Sequence, residues 1–162
     1  MKGRVHRYGD RVDTDQIIPG PFTKTLDTDE LASHVLEYLD PEFRSRMSKG
    51  DFVVAGENFG CGSSREQAPL ALKASGVAGV VASSFARIFF RNAINIGLPV
   101  LEIGQHAIER GNELEIDLES GTVTDLTAKQ TYQAAKMPEV MKQILQEGGL
   151  TSYLKKYGDY QL

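Results

Sequence analysis

Residues 58–66, Asn-Phe-Gly-Cys-Gly-Ser-Ser-Arg-Glu, concentrate chemically useful groups in one short stretch. Glycine has no Cβ, so a glycine-rich turn lets the backbone approach a ligand closely and present its N–H groups to an anion. Ser63 and Ser64 add hydroxyl groups that can also cap a helix, and Arg65 adds a planar cation suited to a carboxylate or phosphate. The first hypothesis is therefore an anion-binding site.

Other chemistries fit this stretch less well. A phosphate-binding P-loop needs a lysine that is absent here. A serine hydrolase elbow needs Gly-x-Ser-x-Gly, whereas Ser63 lies in Cys-Gly-Ser-Ser-Arg and the three histidines offer it no obvious base. Cys61 could be a reactive thiolate at a helix start, but a small buried residue that fills space is the simpler interpretation. An ordinary glycine-rich connection with a capping serine also stays open.

Two further segments carry charged side chains. Residues 13–21 hold two aspartates, then apolar residues, then two prolines around a glycine, which predicts a loop because proline removes a backbone donor. Turn and capping chemistry is the simpler role for Asp13 and Asp15. Arg87 and Arg91 lie four residues apart, and for them we favour a solvated or interface face.

The elements around these residues predict how they are held. They follow one another as an apolar strand at 51–56, a helix at 67–74, a buried strand at 79–82, a helix at 85–97 capped by Ser83 and Ser84, and a strand at 98–102. This alternation predicts parallel pairing with right-handed crossovers.

The flanking segments predict a different pattern. They comprise a weak strand at 3–8, a helix from Asp27 or Thr28 through Leu39 that Asp40 and Pro41 end, an antiparallel hairpin at 113–118 and 122–124, a helix from Pro138 to Gly148, and a short helix at 150–157. Together these elements predict an α/β fold.

Length and composition set the broad class. The chain has 162 residues, 41% of them hydrophobic and 25% charged, which predicts one globular domain over residues 1–162. A net charge of −4 argues against a nucleic-acid partner. A single cysteine excludes an internal disulfide and cannot by itself build a metal site. Because no signal peptide or membrane span is evident, we expect a cytoplasmic protein that does not bind a membrane.

Three segments in series then carry a family resemblance. They are Asp-Thr-Asp-Gln-Ile-Ile-Pro-Gly at 13–20, Gly-Cys-Gly-Ser-Ser-Arg-Glu at 60–66 and Ser-Ser-Phe-Ala-Arg-Ile-Phe-Phe-Arg-Asn at 83–92. The chain resembles the 3-isopropylmalate dehydratase small subunits, the detached swivel domain of the aconitase superfamily, over essentially its whole length. The resemblance implies a swivelling three-layer β/β/α domain, with a parallel βαβαβ middle and an antiparallel C-terminal hairpin.

The resemblance also implies an activity. The chain would be one subunit of a hydro-lyase that dehydrates and rehydrates a 2- or 3-hydroxy dicarboxylic acid, in the first instance interconverting 2- and 3-isopropylmalate in leucine biosynthesis. It would act only in a heterodimer with a large subunit that carries a [4Fe-4S] cluster. It would bring no cofactor or metal of its own. A homo-oligomer of the isolated chain and a non-catalytic anion-binding or scaffold module are the open alternatives.

Residue roles follow from the matching positions. Ser63 would be the base that takes a proton from carbon, and Arg65 would stabilise its alkoxide and bind a carboxylate. Ser64, Thr14 and Asp15 would bind substrate. In the loop Phe22-Thr23-Lys24-Thr25, Thr23 and Lys24 would contact the substrate's γ-group, with Lys24 where some relatives have arginine. A cation there suits a γ-carboxylate by charge, and homoaconitate, citrate-like acids and small alkylmalates such as 2,3-dimethylmalate stay open as substrates. We expect the Phe22–Leu26 loop to be mobile.

Overall fold

A computed structural model describes residues 1–160 of the chain. Its elements, in chain order, are β1 (Lys2–Arg7), α1 (Thr14–Ile17), a 3₁₀ turn (Gly20–Phe22), α2 (Thr28–His34), α3 (Phe43–Arg46), β2 (Phe52–Ala55), α4 (Gln67–Ala74), β3 (Gly79–Ala82), α5 (Arg87–Asn95), β4 (Val100–Glu102), β5 (Glu113–Asp117), β6 (Thr122–Asp125), β7 (Gln130–Gln133), α6 (Glu139–Gln146) and α7 (Leu150–Tyr157). Among these residues, no helix combines the length and apolar character that crossing a bilayer requires.

The strands form a seven-stranded sheet in the order β4-β3-β2-β1-β5-β6-β7. β1 to β4 pair in parallel, and helices α4 and α5 cross between β2, β3 and β4. β1 also pairs antiparallel with β5, and β5, β6 and β7 continue antiparallel. The predicted parallel middle and antiparallel hairpin are thus both confirmed, and β1 joins them.

Alternate side chains of the parallel strands enter two separate cores. On β2, Val53 and Ala55 pack with the helices. Phe52 and Val54 pack instead with Leu114 and other residues of the antiparallel half. Because successive side chains of a strand point to opposite faces, this strand lies between two layers. The sheet therefore curls over itself, and the order of layers is antiparallel sheet, parallel sheet, helices, which is the expected β/β/α arrangement.

The topology also gathers the three conspicuous segments. Residues 13–20 lie beyond the carboxyl end of β1, residues 58–66 follow β2 and residues 83–92 follow β3. Since these strands are neighbours in the parallel part of the sheet, their carboxyl ends meet along one edge. Segments far apart in sequence are brought together at that edge.

Helix α2 is shorter than predicted. The prediction that it runs through Leu39 is wrong, since it ends at His34. Leu36 has a left-handed backbone (φ 55°), its side chain is fully buried, and its N–H donates to the carbonyl of Ile17 at 2.7 Å. Packing of Leu36 against the segment after β1 therefore overrides the helical spacing of the apolar residues.

Strand β7 is not predicted from the sequence. Its sequence, Gln-Thr-Tyr-Gln, lacks an apolar alternation, and only Tyr132 is partly buried. The strand is positioned by pairing with β6, for example between Tyr132 and Val123. Long-range pairing places it, rather than its own residues.

Candidate active site

The glycine-rich turn at 58–66 is held between the two other segments. The N–H of Thr14 donates to the carbonyl of Cys61 at 2.9 Å, which forms a parallel bridge between Asp13 and Cys61. On the other side, the N–H of Phe59 donates to the carbonyl of Ser84 at 3.0 Å, and Phe59 bridges Phe85. The three segments that carry the family resemblance therefore form one hydrogen-bonded cluster.

Glycine is required at the base of this turn. Gly60 has φ 84°, in the left-handed region, and a Cβ placed there would lie 2.2 Å from Cγ of Phe89. Phe89 is 3% exposed and belongs to the core under α5. The turn can approach α5 this closely only because no side chain intervenes.

The turn presents several unused donors. Ser63 and Ser64 are exposed, and within residues 1–160 their hydroxyls make no hydrogen bond. In the same part of the chain, the backbone N–H groups of residues 62–66 donate to no acceptor. The carbonyl of Ser63, in contrast, accepts a bond from the buried hydroxyl of Thr14 at 3.0 Å. The backbone of the turn is thus fixed while its donors stay available.

The predicted capping roles of the serines are wrong. Helix α4 begins at Gln67, and its N-cap is Glu66, whose side chain makes no capping bond. Helix α5 begins at Arg87 rather than at Phe85, and the Ser84 hydroxyl accepts a bond from the N–H of Asn58 at 2.8 Å. Ser84 therefore helps to hold the glycine-rich turn, and Ser63 is not needed to start a helix.

The guanidinium of Arg65 lies against the segment that follows β1. Its Nη1 is 2.8 Å from Oδ1 of Asp15, an ion pair in which Asp15 is 64% exposed. The N–H bonds of this nitrogen do not align with that oxygen, so Nη1 is also a buried nitrogen without a hydrogen-bond partner in the described chain. The contact is a charge pair with unused donors, and such a partly exposed pair contributes at most about 1 kcal/mol to stability. The Arg65 side chain is 23% exposed, so the accessible part of its guanidinium can reach a second carboxylate.

Asp13 and Thr14 have structural roles. Asp13 caps α1, its carboxylate accepting from the N–H of Gln16 at 2.8 Å, and the Gln16 side chain accepts in return from the N–H of Asp13. The capping role predicted for Asp13 is confirmed. Thr14 supports the Ser63 carbonyl, so contact of its side chain with substrate stays a prediction.

The loop that carries Lys24 is tied to the glycine-rich turn. The Gln67 side chain donates to the carbonyl of Thr23 at 2.9 Å, and the Thr23 hydroxyl donates to the carbonyl of Gly20 at 2.7 Å. A Cβ on Gly20 would lie 3.4 Å from Nη1 of Arg65, so this glycine packs directly on the guanidinium. Lys24 itself is exposed. Gln67 and Gly20 were not singled out from the sequence, although the glycine between two prolines was a signal.

Other conspicuous residues lie outside this cluster or play no chemical part in it. Cys61 is partly exposed, so the expectation that it is buried is wrong, and its contribution is the backbone bridge to Asp13. Arg87 and Arg91 are exposed, as expected.

A cavity of about 760 Å³ lies elsewhere, between the start of α5, strand β4 and helix α6. It is mainly apolar and contains none of the predicted site residues. Among the described residues, no group of three histidine, cysteine or acidic side chains could hold a metal ion.

Comparison with known proteins decides the family. The aconitase C-terminal domain family matches residues 23–106. The chain belongs to the aconitase family. Among the relatives of this family member, the 2,3-dimethylmalate dehydratase small subunit of Eubacterium barkeri is 54% identical over 155 residues, 94% of this chain and 95% of that protein. The methanogen homoaconitase small subunit of Methanothermobacter thermautotrophicus is 55% identical over 156 residues, 96% of this chain and 91% of that protein.

A solved structure confirms the fold of this family member. The crystal structure of 3-isopropylmalate dehydratase from Methanocaldococcus jannaschii has a TM-score of 0.92 at 48% identity, covering 97% of this chain and 94% of that one. Further relatives that are 49–53% identical are 3-isopropylmalate dehydratase small subunits. The homologues are therefore dehydratase subunits that share a fold and differ in the substrate they are named for.

Proposed function

We propose that this chain is the small subunit of a two-subunit hydro-lyase and that residues 58–66 form its half of the active site. The observation that carries the proposal is the exposed Ser63 hydroxyl, set in a turn whose neighbouring N–H groups donate to nothing within residues 1–160. A binding module needs the donors, but it does not need an exposed, unused hydroxyl among them. The dehydratase names of the relatives agree with a catalytic role.

Ser63 would act as the base. A serine hydroxyl is far too weak an acid to lose its proton unaided at neutral pH, so its alkoxide needs nearby positive charge. The free N–H groups of residues 62–66 and the guanidinium of Arg65 supply it. The bond from Thr14 to the Ser63 carbonyl fixes the backbone from which the hydroxyl projects. The serine then accepts a proton from a carbon next to the substrate's hydroxyl-bearing carbon, and later returns it.

The substrate would lie with one carboxylate on Arg65 and Ser64. The Arg65 side chain is 23% exposed, and its guanidinium matches a carboxylate in two-pronged geometry. Asp15, beside it and largely exposed, would orient the guanidinium and contact the substrate's hydroxyl groups. Thr23 and Lys24, on the loop held by Gln67, would contact the γ-group.

The partner would be a large subunit with a [4Fe-4S] cluster. No set of side chains in residues 1–160 fits such a cluster, and the single cysteine lies in the turn as a backbone bridge. Bound to the partner, the cluster would supply a Lewis acid for the departing hydroxyl. Loss of that hydroxyl from one carbon and of the proton to Ser63 from its neighbour gives an alkene. Addition of water in the opposite orientation gives the isomer.

The substrate would be 2-isopropylmalate and its 3-isomer, the acids for which many of the relatives are named. Lys24 favours instead a substrate with a γ-carboxylate, because a cation at the γ-group suits a carboxylate there. Relatives named as homoaconitase and 2,3-dimethylmalate dehydratase subunits are about as similar to this chain. Homoaconitate and 2,3-dimethylmalate should therefore be assayed beside isopropylmalate.

The test is turnover of the chain assembled with its large subunit, with Ser63→Ala as the variant. Loss of a general base lowers kcat by about 10²–10⁴-fold, and we expect a loss of this order with assembly unchanged by gel filtration. Ser45→Ala is the matched control, since Ser45 is an exposed serine on α3 away from the turn. Retained turnover in Ser63→Ala would exclude this serine as the base.

A further inference from the structure

The loop that carries Lys24 begins on a stacked pair of rings. The rings of Phe22 and His34 lie parallel, with an interplanar angle of 2° and 3.5 Å between their centroids. Phe22 ends the 3₁₀ turn before the loop, and His34 is the last residue of α2, which follows the loop. The stack therefore joins the two ends of the segment from Phe22 to His34 and closes it at its base.

His34 is a fixed platform for this contact. Its Nδ1 lies 2.9 Å from Oε2 of Glu37, which restricts rotation of the imidazole. Leu31, one turn earlier on α2, is fully buried, and Leu36, two residues later, is bonded through its N–H to Ile17. The imidazole is thus held by Glu37, and the backbone on either side of His34 is held by the core, so Phe22 packs on a surface that is fixed independently of the loop.

A second contact fixes the direction of the loop beyond the stack. Gln67 opens α4 immediately after the glycine-rich turn, and its side chain donates to the carbonyl of Thr23. Phe22 and Thr23, the two residues before Lys24, are thus both held, which sets the direction in which the backbone enters Lys24. Thr25 then accepts a bond from the N–H of Asp27, the N-cap of α2. Lys24 is exposed at the turn between these fixed points.

We propose that His34 is a positioning residue for substrate recognition, which holds Phe22 and thereby places Lys24 over the site formed by Arg65 and Ser63. The histidine does not touch the substrate. It restricts the loop to one conformation before binding, so less ordering is required when the γ-group is bound. This inference rests on the proposed function for the role of Lys24, but the conformational part does not.

Trypsin tests the conformational part without a partner or a substrate. The exposed bond after Lys24 is cleaved only when the loop opens, and the cleavage rate follows the open population when opening is fast. Removing a stacked ring pair changes such a population by about two- to tenfold. We expect His34→Ala to speed cleavage after Lys24 by that factor and His34→Phe, which keeps a ring, to restore most of the protection. Ser33→Ala, on the same helix, is the matched control and should cleave like the wild type.

Kinetics of the assembled enzyme tests the recognition part. We expect His34→Ala to raise KM about two- to tenfold with little change in kcat, because a contact with a remote part of the substrate affects ground state and transition state alike. In a Lys24→Ala background, His34→Ala should have almost no further effect on KM, since His34 and Lys24 act through one contact with the substrate. His34→Phe should again restore KM.

The outcomes distinguish failure of the inference about His34 from failure of the proposed function. Unchanged cleavage after Lys24 in His34→Ala overturns the inference whatever the enzyme does. Faster cleavage with additive KM effects of His34→Ala and Lys24→Ala also overturns it, because the histidine would then act elsewhere. An unchanged KM in Lys24→Ala overturns the recognition role of the loop and the inference with it. Loss of turnover in Ser63→Ala bears only on the proposed function.

Discussion

Replacing Gly60 with alanine should destabilise the protein through one identifiable contact. Gly60 lies at the base of the glycine-rich turn, its N–H donating to the carbonyl of Val12 at 2.7 Å. Its φ of 84° is unfavourable for any residue with a Cβ, and the added methyl would lie 2.2 Å from Cγ and 2.4 Å from Cβ of Phe89. Those atoms are at the root of a buried side chain, so they cannot move away by a rotamer change alone.

The expected loss of stability in Gly60→Ala has two parts. The left-handed backbone costs an alanine about 1–2 kcal/mol relative to glycine. Forcing a methyl group into a filled core costs a further 1–3 kcal/mol or so. The free energy of unfolding should therefore fall by about 2–5 kcal/mol, and for a chain of this size Tm should fall by about 4–20 °C.

A control separates the two parts. Gly104 has a similar φ of 70°, but no atom lies within 4 Å of the position of its Cβ. Gly104→Ala should therefore cost only the backbone part, about 1–2 kcal/mol. Urea denaturation of both variants gives the difference, which is the packing cost against Phe89. Equal losses in the two variants would refute the idea that close packing on α5 fixes the backbone of the glycine-rich turn.

Three further predictions concern contacts around the site and in the core. Thr14→Val removes the bond to the Ser63 carbonyl at similar size, so the free energy of unfolding should fall by about 1 kcal/mol and kcat should fall with it; an unchanged kcat would show that this bond does not place Ser63. Lys24→Arg should raise kcat/KM for a substrate with a γ-carboxylate relative to isopropylmalate, and an unchanged ratio would remove this residue from the γ-group contact. Burial alone would raise the pKa of the Asp51 carboxyl, but bonds from the N–H of Ser48, from His6 and from a further backbone N–H outweigh burial and hold that pKa below its ordinary value. Because the folded-state pKa is the lower one, this stabilisation is complete above the unfolded-state value of about 4 and is lost as the pH falls through the folded-state value. Asp51→Asn should therefore cost about 1–3 kcal/mol at pH 7 and less at pH 2 than at pH 7, as denaturant midpoints at the two pH values would show.

Much of the parallel half could be predicted because its signals are local. β3 and α7 have the predicted bounds, Gly79–Ala82 and Leu150–Tyr157, since turn residues flank an apolar run and an amphipathic segment. The likeness to a known family also predicted that residues of the segments 13–20 and 60–66 share a site, and the structure brings these two segments together. Their proximity then follows from parallel neighbours in the sheet, whose carboxyl ends meet at one edge.

The features that escaped prediction depend on contacts distant in sequence. Helix α2 stops at His34 because Leu36 is bonded to Ile17, and no cap or proline at that point signals the end. The tie between Gln67 and Thr23 joins residues 44 apart, with nothing in either residue type to suggest it. Helical spacing predicted that α2 continues, and tertiary packing decided otherwise.

The distribution of polar groups in the turn argues that the site is completed from outside this chain. Within residues 1–160, the turn offers N–H groups at 62–66, the hydroxyls of Ser63 and Ser64, and the exposed part of the Arg65 guanidinium, while the Ser63 carbonyl is already satisfied by Thr14. Such a set attracts an anion and can hold an alkoxide, but it contains no group that could assist a hydroxyl to leave. A partner that supplies such a group would therefore complete the proposed site.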